Sequence, residues 1–180
     1  MANTCFNELY FTGDSAKVQR ANLFLAGLPR DEWGGVTIEG TDGYFQDIGF
    51  SRGRFLFGTR WGPQLETARV IADRFGVGFV YDYCEPMMSL YGQARYEKGQ
   101  ACDIRLGQKD FAGVSYLEDD DVYVYQNTHY RSIETLSRLL LQERLQVKGK
   151  VEKKAAFKTQ TSLMAFFNKQ QDARPLSTGP

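Results

Sequence analysis

Histidine is almost missing from this chain: there is one, His129, flanked by Thr128 and Tyr130. A lone imidazole offers no nucleophile and base pair without a spatial partner, and no metal centre is built on it alone. Cysteine is scarce as well. Cys5, Cys84 and Cys102 are widely spaced, odd in number and form no C-x-x-C pair, which argues against a disulfide framework or a zinc site and for a reducing, cytoplasmic compartment. They read as small buried hydrophobes. Long apolar runs are absent: none approaches the ~18 residues of a membrane span, and the opening Met1-Ala2-Asn3-Thr4 has neither the basic nor the apolar region of a signal peptide. No membrane association is expected. The glycines between 34 and 49 match neither G-x-x-x-x-G-K-[ST] nor G-x-G-x-x-G, so no phosphate loop and no cofactor is expected. The sequence assigns no catalytic residue and no metal site, and the expectation is a non-enzymatic protein.

Net charge is also missing, but its distribution is uneven. Residues 1–147 carry 15 Lys/Arg against 20 Asp/Glu, and residues 148–180 carry 7 against 2. An acidic body is followed by a basic tail. Within the body, Glu118-Asp119-Asp120-Asp121 is a run of four carboxylates. It reads either as a Mg²⁺ site completed by Asp103 or Asp110 or as a solvated loop; the loop is favoured because adjacent side chains on an extended chain point in opposite directions.

What is present is a regular alternation of helix and strand periods. Cys5 to Thr12 is apolar enough for a strand, and Asp14 or Ser15 can cap a helix whose buried face is Val18, Ala21 and Leu25, with Phe24 and Leu28 beside them. Residues 30–49 are glycine-rich and predict an irregular excursion in which only Val36 to Ile38 reads as a strand. Arg54 to Thr59 is the next strand. After Trp61-Gly62-Pro63, Leu65, Ala68, Ala72 and Phe75 share one helical face, and Gly76 stops the helix. The period then changes to two, with Val77, Phe79, Tyr81 and Tyr83 pointing one way. Glu85 to Ser89 turns the chain into a partner strand, Leu90 to Glu97. Ala101 to Leu106 and Val122 to Gln126 are expected to extend the sheet, and Ser132 to cap a last helix with Leu136 and Leu140 facing inward.

Two β-α units followed by a hairpin predict an α+β fold, a ferredoxin-like sandwich with helices on one face of a mainly antiparallel sheet. The expected domains are residues 1–147 and a flexible, disordered basic tail, residues 148–180.

Three ordered segments add a resemblance. Asn3-Thr4-Cys5-Phe6-Asn7-Glu8-Leu9, Phe57-Gly58-Thr59-Arg60-Trp61-Gly62-Pro63, and Tyr83-Cys84-Glu85-Pro86-Met87 with Gly92 resemble the N-x-C-x-N-x-L, F-x-T-[KR]-W-x-P and Y-x-E-P-[GM] segments of the YubB-like ferredoxin-fold proteins of plasmids, phages and genomic islands. Thr4 stands where that family usually has Trp. The resemblance covers roughly residues 3–100 and implies a mobile-element protein without implying a reaction.

In the tail, Gln160-Thr161-Ser162-Leu163-Met164-Ala165-Phe166-Phe167 resembles the PCNA-interacting peptide Q-x-x-[LIM]-x-x-[FY]-[FY]. One tight helical turn sets Leu163, Phe166 and Phe167 on one side as an apolar plug, with the Gln160 amide one turn earlier. Ordinary residue frequencies yield such a match on the order of once per hundred chains of this length. The resemblance implies a PCNA-like or phage-type sliding clamp as partner and a role in, or against, DNA replication or repair; the alternative is a final amphipathic helix packing on the protein's own body. A second reading places single-stranded nucleic acid on the open sheet face, stacked on Tyr123, Tyr125 and Tyr130 with Arg131 alongside and Tyr116 and Arg105 in support, against which stands the acidic balance of the body. A third makes the acidic body a DNA mimic that inhibits host defence.

Overall fold

The computed structural model describes residues 3–147. The chain divides into two units, Met1–Leu141 and Gln142–Pro180.

Strand β1 (Thr4–Thr12) leads into helix α1 (Ser15–Ala26). The Asp14 side chain accepts from the Lys17 N–H and satisfies one of the orphan donors of the first turn. β2 (Val36–Thr37), β3 (Tyr44–Ser51) and β4 (Arg54–Arg60) follow, then helix α2 (Leu65–Phe75) and β5 (Gly78–Glu85). Gly76 ends α2 at φ 62°, a left-handed conformation in which its N–H reaches back to the Ala72 and Asp73 carbonyls. β6 (Leu90–Glu97) and β7 (Gln100–Arg105) complete an antiparallel seven-stranded sheet in the order β2-β3-β4-β1-β5-β6-β7.

Four of these strands carry the ferredoxin-like pattern. β1-α1-β3 and β4-α2-β5 are two β-α-β units interleaved so that β4 and β1 are central and β3 and β5 flank them. The 30–49 stretch, expected to be irregular, supplies β3, the strand without which the order cannot close. Its alternation is hidden by a bulge: the register with β4 shifts between Gln46 and Gly49, and Asp47 there has φ 47°.

Helices α1 and α2 lie on one face, over a core of Leu9, Leu25, Phe45, Phe55, Phe57, Ile71 and Tyr81, all 5% exposed or less. Phe24 and Phe75 meet between the helices with ring centroids 5.2 Å apart. Each such large apolar side chain contributes roughly 1.5–3 kcal/mol on burial.

The opposite face is only partly covered. A third helix, α3 (residues 133–147), starts where the Ser132 hydroxyl accepts from the Thr135 N–H. Leu136 and Leu140 are buried on it, as expected. Over residues 133–141 its charges act on β5: Glu134 and Arg138 on Cys84, and Arg138 on Asp82. Burial along the strands records the result. β5 is buried at nearly every position because both its faces are covered, whereas β4 alternates exposed and buried because one of its faces is open.

Gln100–Arg105 extends the main sheet as expected, but Val122–Tyr125 does not. It is the middle strand, β9, of a separate three-stranded sheet with β8 (Ser115–Leu117) and β10 (Thr128–Tyr130).

Candidate functional site

The three segments that carried the N-terminal resemblance come together at one end of the sheet. Cys5 lies opposite Thr59, and Asn7 lies between Phe57 on β4 and Tyr83 on β5. Asn7 is 4% exposed. Its amide nitrogen contacts the Cys5 carbonyl at 2.8 Å, the Phe57 carbonyl at 3.2 Å and Thr59 Oγ1 at 2.9 Å. Thr59 passes the chain on, its hydroxyl donating to the Gly62 carbonyl at 2.7 Å. Glu85, also buried, accepts from the Met88 N–H and holds the short 3-10 turn Pro86–Met88. A buried polar group is tolerated only when so satisfied.

This network underlies a strained turn. The Gly62 N–H bonds back to the Arg60 carbonyl at 2.9 Å, closing a three-residue turn centred on Trp61 at φ 69°. That is the rare positive-φ γ-turn, costly for any side chain with a Cβ. The Trp61 N–H bonds to the Asn3 carbonyl, and the indole side chain is 58% exposed. Strain of this kind persists where the surroundings over-determine it, and here the Asn7–Thr59–Gly62 chain does so.

Next to the turn lies the uncovered part of the sheet. On the face away from α1 and α2, β1 presents Phe6, exposed to 61%, and β4 presents Leu56 and Arg60, with Gly58 directly beside Phe6 in the ladder. Glu8 pairs with Arg54, whose guanidinium also sits over the Tyr10 ring, 4.9 Å from its centroid. Arg60 forms no ion pair among the described residues. Sequence reasoning did not find these residues. The available signal was a large aromatic at an outward position of β1, and a Trp immediately before Gly-Pro.

The thiols beside the network are poor nucleophiles. Burial pushes Cys5 up to about 11, against a partly compensating Thr59 hydrogen bond, and pushes Cys84 up to about 11 as well. The third thiol, Cys102, is half-buried on β7.

The tyrosines expected on the main sheet lie instead on the small one. There the register aligns Tyr116, Tyr123 and Tyr130 in one row across three strands, and the Tyr116 and Tyr123 ring centroids are 5.0 Å apart. Tyr125 lies opposite Thr128, and Arg131 is exposed just after β10. His129 is exposed on β10. The carboxylates do not converge: Asp121 accepts from the Tyr116 hydroxyl, and Asp103 from Tyr83 and Arg105. No group of three metal-ligating side chains occurs among the described residues. Gln160, Leu163, Phe166 and Phe167 lie outside the described residues.

The strand order and the paired β-α-β units define a ferredoxin-like domain, and the comparison with known families agrees. Residues 40–128 match the family model described as the ferredoxin-like domain in Api92-like protein. No curated protein and no solved structure matches the chain. No helix among the described residues is long and apolar enough to cross a membrane.

Proposed function

We propose that this protein is a non-catalytic accessory factor of a phage or other mobile element, of the YubB-like kind, which docks on a sliding clamp through Gln160, Leu163, Phe166 and Phe167. The observation that carries the reading is that every defined position of the clamp-binding peptide is filled, in a basic stretch that follows the folded unit in sequence. A plug of one Leu and two Phe gains several kcal/mol at about 25 cal/mol per Å², and ordering the peptide offsets much of it. The net expectation is roughly −7 to −9 kcal/mol, in the micromolar range. Lys153, Lys154 and Lys158 speed association with an acidic ring, an effect that salt erodes. Titration calorimetry of the full chain against the PCNA-like and phage-type rings of candidate hosts tests it. Phe166→Ala combined with Phe167→Ala should abolish binding with the thermal melt unchanged, and Gln160→Ala should weaken it less. Absence of binding to any ring at high micromolar concentration ends the proposal.

A second reading, single-stranded nucleic-acid binding, draws support from the row Tyr116, Tyr123 and Tyr130. Aromatic rows of this kind suit sequence-tolerant stacking. If the row is the site, Tyr123→Ala with Tyr130→Ala lowers affinity for a single strand while leaving clamp binding intact.

A further inference from the structure

We infer that the main single-strand site is not the tyrosine row but the open face of β1 and β4, where Phe6 and Trp61 stack on bases while Arg60 and Arg52 meet phosphates. The inference rests on the nucleic-acid reading and is independent of clamp docking.

Shape is the first argument. Phe6 is exposed to 61% on a strand whose other face is core, so its ring is open to a planar base; Gly58, its neighbour across the ladder, adds no side chain of its own, and Thr4 and Gln46 flank that position. Gly49, opposite Leu56, has nothing within 4 Å of where a Cβ would stand and leaves an opening further along. Trp61 is the second platform, held outward by a strained turn that the buried Asn7–Thr59 chain supports. From Arg54 to Arg60, β4 runs about 20 Å, enough for about four nucleotides.

Charge decides the occupant. Residues 51–61 contain Arg52, Arg54 and Arg60 and no acidic residue, in a body with five more carboxylates than cations. Glu8 takes up Arg54. That leaves a guanidinium near each end of β4, at Arg60 and, in the turn before the strand, at Arg52. A second copy of the chain seated by a two-fold axis would set these cations against one another. A purely apolar partner would leave them unanswered. A polyanion with flat apolar bases answers both.

Stacking and phosphate contact are common to DNA and RNA strands, so the test has two arms. Full-length protein is titrated into labelled oligothymidylate and oligouridylate of about 12 nucleotides, followed by fluorescence anisotropy at two salt concentrations. Phe6→Ala and Trp61→Gly should each weaken binding roughly ten- to a hundredfold. Glycine is chosen at 61 because it adopts positive φ freely and so keeps the turn. Phe6→Leu, which retains apolar area without an aromatic face, should behave like Phe6→Ala. Arg60→Gln should reduce the salt slope by about one. A preference for oligouridylate assigns the site to RNA, a preference for oligothymidylate to DNA, and either supports the inference. The basic stretch beyond residue 147 attracts phosphates by itself, so the decisive quantity is the difference between variant and parent. Binding left unchanged by Phe6→Ala and Trp61→Gly overturns the inference, and if Tyr123→Ala with Tyr130→Ala then reduces it, the site returns to the tyrosine row. No binding to either strand at high micromolar concentration overturns both. Sedimentation showing a dimer that Trp61→Gly dissociates makes the face a self-interface and also overturns it.

Discussion

Asn7 is the side chain on which the end of the sheet depends. Its amide nitrogen, with two protons to give, lies within hydrogen-bond distance of three acceptors on two strands, and through Thr59 it reaches the turn that carries Trp61. Asn7→Leu matches the volume but leaves Thr59 without its donor, so a loss of about 2–3 kcal/mol is expected. Urea unfolding checks it: the midpoint should fall with m unchanged. Asp82 makes the opposite kind of contribution. Burial raises its carboxyl above the ordinary 3.8, with Glu8 adding to the effect, while the Gln93 amide, Arg54 and Arg138 oppose it. A raised folded value means that the folded state holds the proton longer than the unfolded chain. The associated stability is therefore fully present below 3.8 and is lost as pH rises through the folded value. Asp82→Asn keeps an acceptor for Gln93, which donates at 2.7 Å. It should flatten this part of the profile, leaving the variant at least as stable as the parent near neutral pH when the two are compared by urea titration from about pH 4 to 7.

Among the elements, α2 shows how far local rules reach. Its Leu65, Ala68, Ala72 and Phe75 face the core as the spacing requires, together with Ile71, and Gly76 caps it in the left-handed region. A Cβ at Gly76 would have only Lys17 Nζ nearby, at 3.5 Å. Gly76→Ala therefore probes conformation rather than crowding and should cost about 1–2 kcal/mol, read as a lower melting temperature. β3 is the contrasting case. Its bulge breaks the two-residue period, and its glycines resemble those of a loop, so only pairing with β4 defines it. Gly92 is decided by a neighbour distant in sequence. A Cβ there would fall 2.2 Å from the Tyr83 hydroxyl and 2.8 Å from the Ile104 carbonyl. Gly92→Ala should displace the Tyr83 phenol from Asp103, a change that near-UV circular dichroism would register with more sensitivity than the far-UV signal.

At the scale of the molecule, the separation of charge suggests a division of labour between the folded body and the basic stretch after it. Removal of residues 148–180 should leave a cooperative αβ unfolding transition and abolish clamp binding, provided the peptide is the docking element. Circular dichroism melts and limited proteolysis of residues 1–147 would show it. A truncated chain that no longer folds would place Leu163, Phe166 and Phe167 in the protein's own packing.

The sequence alone determined the parts whose causes are local. Asp14 caps α1 because its side chain reaches a donor three residues away; Gly76 stops α2 because its backbone tolerates positive φ; and Phe79, Tyr81 and Tyr83 share one face of β5 because they recur every second position. It determined the ferredoxin-like class as well, since two β-α units joined in series have few ways to bury their apolar faces. Only the tertiary structure decided what depends on partners far away in the chain. It made β3 a strand, placed β9 on a second sheet and set Glu134 and Arg138 beside Cys84 of β5. It also brought Asn7, Thr59 and Glu85 to one end of the sheet and left Phe6 and Trp61 uncovered. Whether a residue on a strand is core or surface depends on whether another layer covers that face, and a periodicity of two records that faces differ without recording what lies above either one.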